Sequence, residues 1–134
     1  MINYKEIDSS IIEEVKELYR KVSWSAYLQD DEKLIRAFDN SLYTVGAFDE
    51  EKLIGMIRCL GDGEHMLMVQ DLLIDPEYQQ RGIGTYLFET ILQKYSKVRT
   101  FIVLTDIEDE VDNKFYKSFN LTKLEDKKII GYIR

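Results

Sequence analysis

The sequence predicts a mixed α/β (α+β) fold, a central sheet of six to seven strands with about four helices on its faces. Three observations lead to it. Apolar residues recur at helical spacing in some segments and at strand spacing in others. Glycine or acidic turns separate these segments. Finally, strand, helix and strand follow one another from Met66 to Thr105, a βαβ unit whose strands should lie parallel with a right-handed crossover.

Taken in order, "INYKEI" reads as a short strand. Ser9 and Ser10 then offer N-caps, and Glu13, three residues after Ser10, completes a capping-box pattern. Ile11, Ile12, Val15, Leu18, Tyr19 and Val22 follow at helical spacing. "WSAYLQ" interrupts before a second helix, "DDEKLIRAFDNS", with acids in its first turn where the helix dipole favours them and Leu34, Ile35 and Phe38 facing inward. From Leu42 to Phe48 the period becomes that of a strand, "DEEK" turns the chain, and "LIGMIRCL" returns as a hairpin. After the turn "GDGEH", "MLMVQDLLI" is apolar on both faces, as expected of a strand inside a sheet. Ile83, Leu87 and Ile91 with Phe88, Leu92 and Tyr95 form the wide apolar stripe of a third helix. "RTFIVLTD" is the next strand, "DEVDNKFYKSF" a short helix and "KKIIGYIR" a final strand, giving β-α-α-β-β-β-α-β-α-β.

The bulk properties set limits. A chain of 134 residues, 45% apolar, suits one domain over 1–134. Cys59 is alone and His65 is the only histidine, so no internal disulfide and no Cys/His metal cluster is expected, and a reducing cytoplasm fits. "MINYKEIDSS" does not read as a signal peptide, and no apolar run reaches bilayer length. A net charge of -7 argues against nucleic-acid or anionic-membrane partners and suits a small cationic one.

The turn "QQRGIG" sits where strand passes into helix. The first N–H groups of a helix lack internal partners, and the dipole adds partial positive charge there. Without Cβ atoms at Gly82 and Gly84, a bulky anion can come close to those donors, with Arg81 adding charge, which makes a phosphate cradle. It is not a P-loop, since no Gly-Lys-Ser/Thr follows. Nor is it a dinucleotide fingerprint, since Leu87 stands where the third glycine would fall.

The stretch Gln79-x-x-Gly82-x-Gly84, after a strand ending Ile74-Asp75-Pro76, resembles the acetyl-CoA pyrophosphate loop of the GNAT superfamily of N-acetyltransferases. A second motif of that family, Phe-Tyr followed by Gly-Phe, has its counterpart in Phe115-Tyr116-Lys117-Ser118-Phe119-Asn120-Leu121. Asn120 replaces the glycine, and Asn tolerates the left-handed backbone that ends helices. The order of elements also resembles the family's along nearly the whole chain.

The resemblance implies that the Met66–Ile74 and Arg99–Thr105 strands splay apart and admit acetyl-CoA between them. Leu72, Leu73 and Ile74 would bond the pantetheine arm through their backbone. Gln79, Gln80, Arg81, Gly82, Ile83, Gly84 and Thr85 would hold the diphosphate, with the Ile83 side chain in the core. Tyr116 would be the acid that protonates the leaving thiolate, and Asp71 the candidate base. Some relatives carry paired acids at the positions of Gln70 and Asp71; here only Asp71 is acidic, and a carboxylate in an apolar strand needs either a catalytic role or a structural hydrogen bond. Asp109 stands where the family often has asparagine. Trp24 and Tyr27 fall where the family lines its acceptor pocket, and an aromatic beside a cationic amine is favourable. The implied activity is transfer of acetyl from acetyl-CoA, without a metal, to a small-molecule or peptide amine. A non-catalytic acyl-CoA sensor or assembly module is the alternative, and the final strand could pair across a homodimer.

Overall fold

Five strands run side by side in sequence order in this computed structural model, which describes all of residues 1–134. They are β1 (Ile2–Glu6), β2 (Tyr43–Asp49), β3 (Lys52–Gly61), β4 (Met66–Ile74) and β5 (Thr100–Val103). β1 through β4 pair antiparallel, and β4 pairs with β5 in parallel, as the βαβ pattern required. The helices are α1 (Ile12–Lys21), α2 (Asp31–Asp39), α3 (Ile83–Lys94) and α4 (Glu110–Lys117). The chain forms two compact units, Met1–Val103 and Leu104–Arg134.

The sheet therefore has five strands, not the six to seven expected. "KKIIGYIR" forms no strand: a 3-10 turn at Leu124–Lys127 ends on Lys128 in the left-handed conformation (φ 62°), and Ile129, Ile130, Tyr132 and Ile133 are exposed. Its isoleucines and tyrosine have strand propensity, but a strand exists only if a ladder satisfies its backbone groups.

In the first unit, α1 packs against β3, and α3 against β3 and β4. Val15, Leu18 and Tyr19 of α1 meet Leu34 and Phe38 of α2 and Phe48, Leu53, Met56 and Leu73 of the sheet. Ile83, Leu87, Phe88 and Ile91 are the buried stripe of α3. Burying each such side chain stabilises by about 1.5–3 kcal/mol, which is why the 3.6-residue pattern governs these helices.

The start of α1 differs from the capping box read in the sequence. Asp8 is the cap, accepting from the Ser10 amide at 2.9 Å, and a 3-10 turn Ser9–Ile11 leads into the helix. Ser9 instead donates to Asp39 (2.6 Å), and Glu13 pairs with Lys16 (3.5 Å).

One irregularity in β4 positions everything that follows. Arg58 faces Asp71 across the β3–β4 ladder, but its neighbour Cys59 faces Val69, so Gln70 is an extra, bulged residue. Before the bulge, Leu67 sits beside Phe101, whose ring meets Phe88 of α3 edge-on at 5.8 Å. After it, Asp71 and Leu73 turn to the α1 layer. The bulge is thus how one strand supplies buried side chains to both layers. The β5 ladder covers only Met66–Val69, so residues 70–74 of β4 have no strand partner on that side.

Candidate functional site

β4 ends at Ile74 and the chain turns on Asp75, which is 2% exposed. Its amide donates to the Ile54 carbonyl (2.8 Å), one carboxylate oxygen accepts from the Glu77 amide (3.0 Å), and the other accepts from Lys21 of α1 (3.1 Å). Pro76–Tyr78 forms a 3-10 turn, held by the Tyr78 hydroxyl donating to Asp49 (2.6 Å). Burial works to raise the Asp75 pKa, but the Glu77 amide and the Lys21 charge outweigh it and hold the pKa below its ordinary 3.8. A depressed carboxyl pKa contributes stability above its unfolded value and loses it as pH falls through the folded one. The stability gap between the native chain and Asp75→Asn should be full above about pH 5 and shrink once pH drops below 3.8, as read by thermal melts across that range.

The expected phosphate loop lies directly after this anchor. Gln80 (φ 64°) and Gly82 (φ 80°) are left-handed, and α3 begins at Ile83, whose side chain is buried as expected. A Cβ built at Gly82 would meet nothing within 4 Å, so the approach to the helix end is open. Gly84 and Thr85 complete the first turn, and Gln79 reaches back to the Ile74 carbonyl (3.4 Å). Arg81 lies over the Tyr78 ring (4.9 Å) and donates to the Glu77 carbonyl (3.2 Å).

The start of α3 also differs chemically from those of the other helices. α2 and α4 are capped by Asp30 and Asp109 and carry acids in their first turns, and α1 carries Glu13 and Glu14. α3 has neither a side-chain cap nor a first-turn acid. Its orphan amides and dipole are left for an outside anion.

A second cluster centres on Asp71. Its side chain is fully buried and accepts three hydrogen bonds, from Tyr19 Oη (2.8 Å) and Arg58 Nε (2.6 Å) on one oxygen and from Tyr27 Oη (2.7 Å) on the other. Arg58 also donates to Ser41 (3.1 Å) and lies over the Phe38 ring (5.0 Å). Tyr27 stacks on Tyr19 at 4.5 Å, and Trp24, 38% exposed, lies 6.4 Å from Tyr27. Burial, reinforced by the Asp71 charge, raises the pKa of both phenols, so both keep their protons. The structure thus brings Trp24, Tyr27 and Asp71 together. Leu72 and Ile74 are half-buried, while Leu73 is core.

In the second unit, Tyr116 is half-buried on α4, edge-on to Phe115 at 5.3 Å. Burial, then the charges of Asp112 and Asp109, push its pKa up to about 12. Asp109 is the N-cap of α4, accepting from the Asp112 amide (2.9 Å). Asn113 is half-buried, and its amide donates to the carbonyls of Asp106 (3.0 Å) and Asp109 (2.7 Å). Asn120 is left-handed (φ 65°), as the sequence led us to expect.

Sequence reading took Tyr19 only for helix apolar face, and the structure also brings Arg58, 3% exposed, into the cluster. The signal was present, since one cation and one anion interrupt the two apolar strands flanking "GDGEH", but only the bulged register sets them opposite each other.

The sequence profile of the acetyltransferase (GNAT) family matches residues 9–121. An uncharacterised N-acetyltransferase of Prochlorococcus marinus, described as ycf52-like, is 33% identical over 60% of this chain. That match covers 46% of the relative, so the chain spans about half the length of the curated relatives it matches. Among solved structures, a GNAT-family acetyltransferase of Streptococcus pneumoniae is 32% identical, with a TM-score of 0.87 over 100% of this chain and 97% of its own. The PaiA N-acetyltransferase of Thermoplasma acidophilum, solved with coenzyme A, shares the fold at 20% identity, with a TM-score of 0.73 over 89% of this chain and 88% of its own.

Proposed function

The chain belongs to the GNAT acetyltransferase family, and we propose that it transfers an acetyl group from acetyl-CoA to a primary amine by direct attack. The observation that carries this reading is the start of α3, which alone among the four helices has neither a first-turn acid nor a side-chain cap, with an open, left-handed Gly82 before it. That chemistry fits a diphosphate. The coenzyme supplies an activated acetyl thioester.

Main-chain N–H groups of Gln80, Arg81, Gly82, Ile83, Gly84 and Thr85 hold the diphosphate, with the Arg81 guanidinium as charged donor and Gln79 at the loop's entry. The backbone of Leu72, Leu73 and Ile74, where β4 has no strand partner on one side, carries the pantetheine arm. Tyr116 donates its proton to the departing thiolate; with a pKa pushed up to about 12, it is protonated throughout the working range. Asp71 has both oxygens engaged, and taking a proton would leave Arg58 buried without a counter-charge. Its proposed role is therefore to orient the acceptor pocket, with the amine losing its proton to water. Trp24 and Tyr27 line that pocket, and a cationic amine suits both their rings and the net charge of -7. With one buried cysteine, a reducing cytoplasm is the proposed location.

Binding without chemistry is the second reading, favoured by the engagement of Asp71 and by Gln70 in place of a paired acid. Following thiol release from acetyl-CoA over a panel of amines separates the two: tight coenzyme binding with no turnover on any amine supports the sensor. For the enzyme, Tyr116→Phe should lower kcat by at least about tenfold with unchanged coenzyme affinity. An unaltered kcat would remove Tyr116 from the mechanism.

A further inference from the structure

Asp71 binds three donors, of which Tyr19 and Arg58 are buried and Tyr27 is partly exposed. The Tyr27 oxygen donates its single proton to Asp71 (2.7 Å) and accepts from the amide of exposed Gln70 at 3.1 Å. A phenol oxygen has two lone pairs, so one acceptor position is left. Its proton being committed to a carboxylate also makes that oxygen a stronger acceptor.

This matters for an amine nucleophile. A free hydroxyl would donate to the nitrogen lone pair and blunt it; a hydroxyl whose proton is taken can only accept an N–H, which leaves the lone pair free to point at an acyl carbon. We propose that the Tyr27 hydroxyl accepts the N–H of the incoming primary amine and so orients its attack, with Asp71 and Arg58 as positioning residues behind it. The assignment rests on the acetyltransferase reading for its substrate class, and on the cluster's geometry for the residue. Arg58 holds Asp71 through its Nε at 2.6 Å while Asp71 accepts the Tyr27 hydrogen bond, and the bulge at Gln70 sets both the Gln70 amide and Asp71 against the same hydroxyl. The rings of Trp24 and Tyr27 then flank the carbon chain or the positive charge of the amine.

Trp24 is the only tryptophan, so its fluorescence reports docking beside Tyr27 whether or not turnover follows. The test titrates the full chain, with coenzyme A present, with spermidine and with neamine, and compares wild type, Tyr27→Phe and Tyr19→Phe. Tyr27→Phe keeps the ring stack and should weaken binding of a responding probe by about tenfold, with kcat falling as well where turnover occurs and coenzyme affinity unchanged. Tyr19→Phe removes the other phenol from the same carboxylate and serves as the control for a merely structural hydrogen bond. It should lower the melting temperature while weakening amine binding far less. Amine binding with no thiol release would count against acetyl transfer to that amine, while a binding loss confined to Tyr27→Phe would still support Tyr27 as the acceptor of its N–H. Equal affinity in wild type and Tyr27→Phe, an equal loss in Tyr19→Phe, or no Trp24 response to either probe in the wild-type chain would overturn it.

Discussion

Replacing Arg58 with methionine is expected to cost about 3–5 kcal/mol of folding stability, because one member of a buried ion pair is lost while the other stays. Arg58 is 3% exposed, its Nε lies 2.6 Å from Asp71, and its Nη1 donates to Ser41 at 3.1 Å. After the change, the Asp71 carboxylate keeps only two neutral phenols as partners and no counter-charge. Surface ion pairs such as Arg20–Glu17 contribute no more than about 1 kcal/mol, so the expected loss belongs to burial rather than to pairing as such. Pairing Arg58→Met with Asp71→Leu should restore much of the stability, since removing both charges also removes their desolvation cost. Urea unfolding of the two single variants and the double variant measures this cycle. A loss below about 1 kcal/mol in Arg58→Met would mean that the pair is solvated in solution.

Gly82→Asp is expected to leave the fold intact and weaken coenzyme A binding by about a hundredfold or more. Gly82 has φ 80°, and added atoms there meet nothing within 4 Å. Aspartate tolerates the left-handed conformation better than most residues, and a carboxylate is favoured at a helix N-terminus, so folding stability should move by no more than about 1 kcal/mol. The same carboxylate, however, competes for the amides that open α3 and repels a diphosphate at close range. A like charge about 4 Å away near a protein surface is worth about 4 kcal/mol, more than a hundredfold loss requires. Titration calorimetry of native and variant chains with coenzyme A gives the answer directly, and equal affinities would dissolve the cradle. Gly82→Ala provides a graded comparison: it carries the left-handed strain without the charge, and should weaken binding less.

These two variants probe features of different legibility. The Gly82 loop could be read from sequence because its chemistry is local: strand end, turn, glycine and helix start are consecutive, and helix ends behave alike in any fold. α2, α3, the β2–β3 hairpin and β4 were legible for a similar reason, since hydrophobic period and turn residues act over a few positions. The α1 cap was misread because Ser9, Ser10 and Glu13 match a local motif while their side chains find partners elsewhere, Ser9 on Asp39, thirty residues away. The last strand was misread because "KKIIGYIR" is rich in β-branched and aromatic residues but has no ladder.

By itself, then, the sequence determined where the four helices and the five observed strands lie, that β4 and β5 run parallel, and that a glycine-led helix start follows "QQRG". It could not determine the fate of Asp71, which was left open between base and structural acceptor. That was decided when a one-residue bulge at Gln70 turned Asp71 toward α1, where Tyr19, Tyr27 and Arg58, separated from it by 52, 44 and 13 residues, meet on one carboxylate. Periodicity and turn chemistry are properties of neighbours along the chain. The partners of a buried charge depend on which strands and helices come together in space, and only the folded packing supplies that.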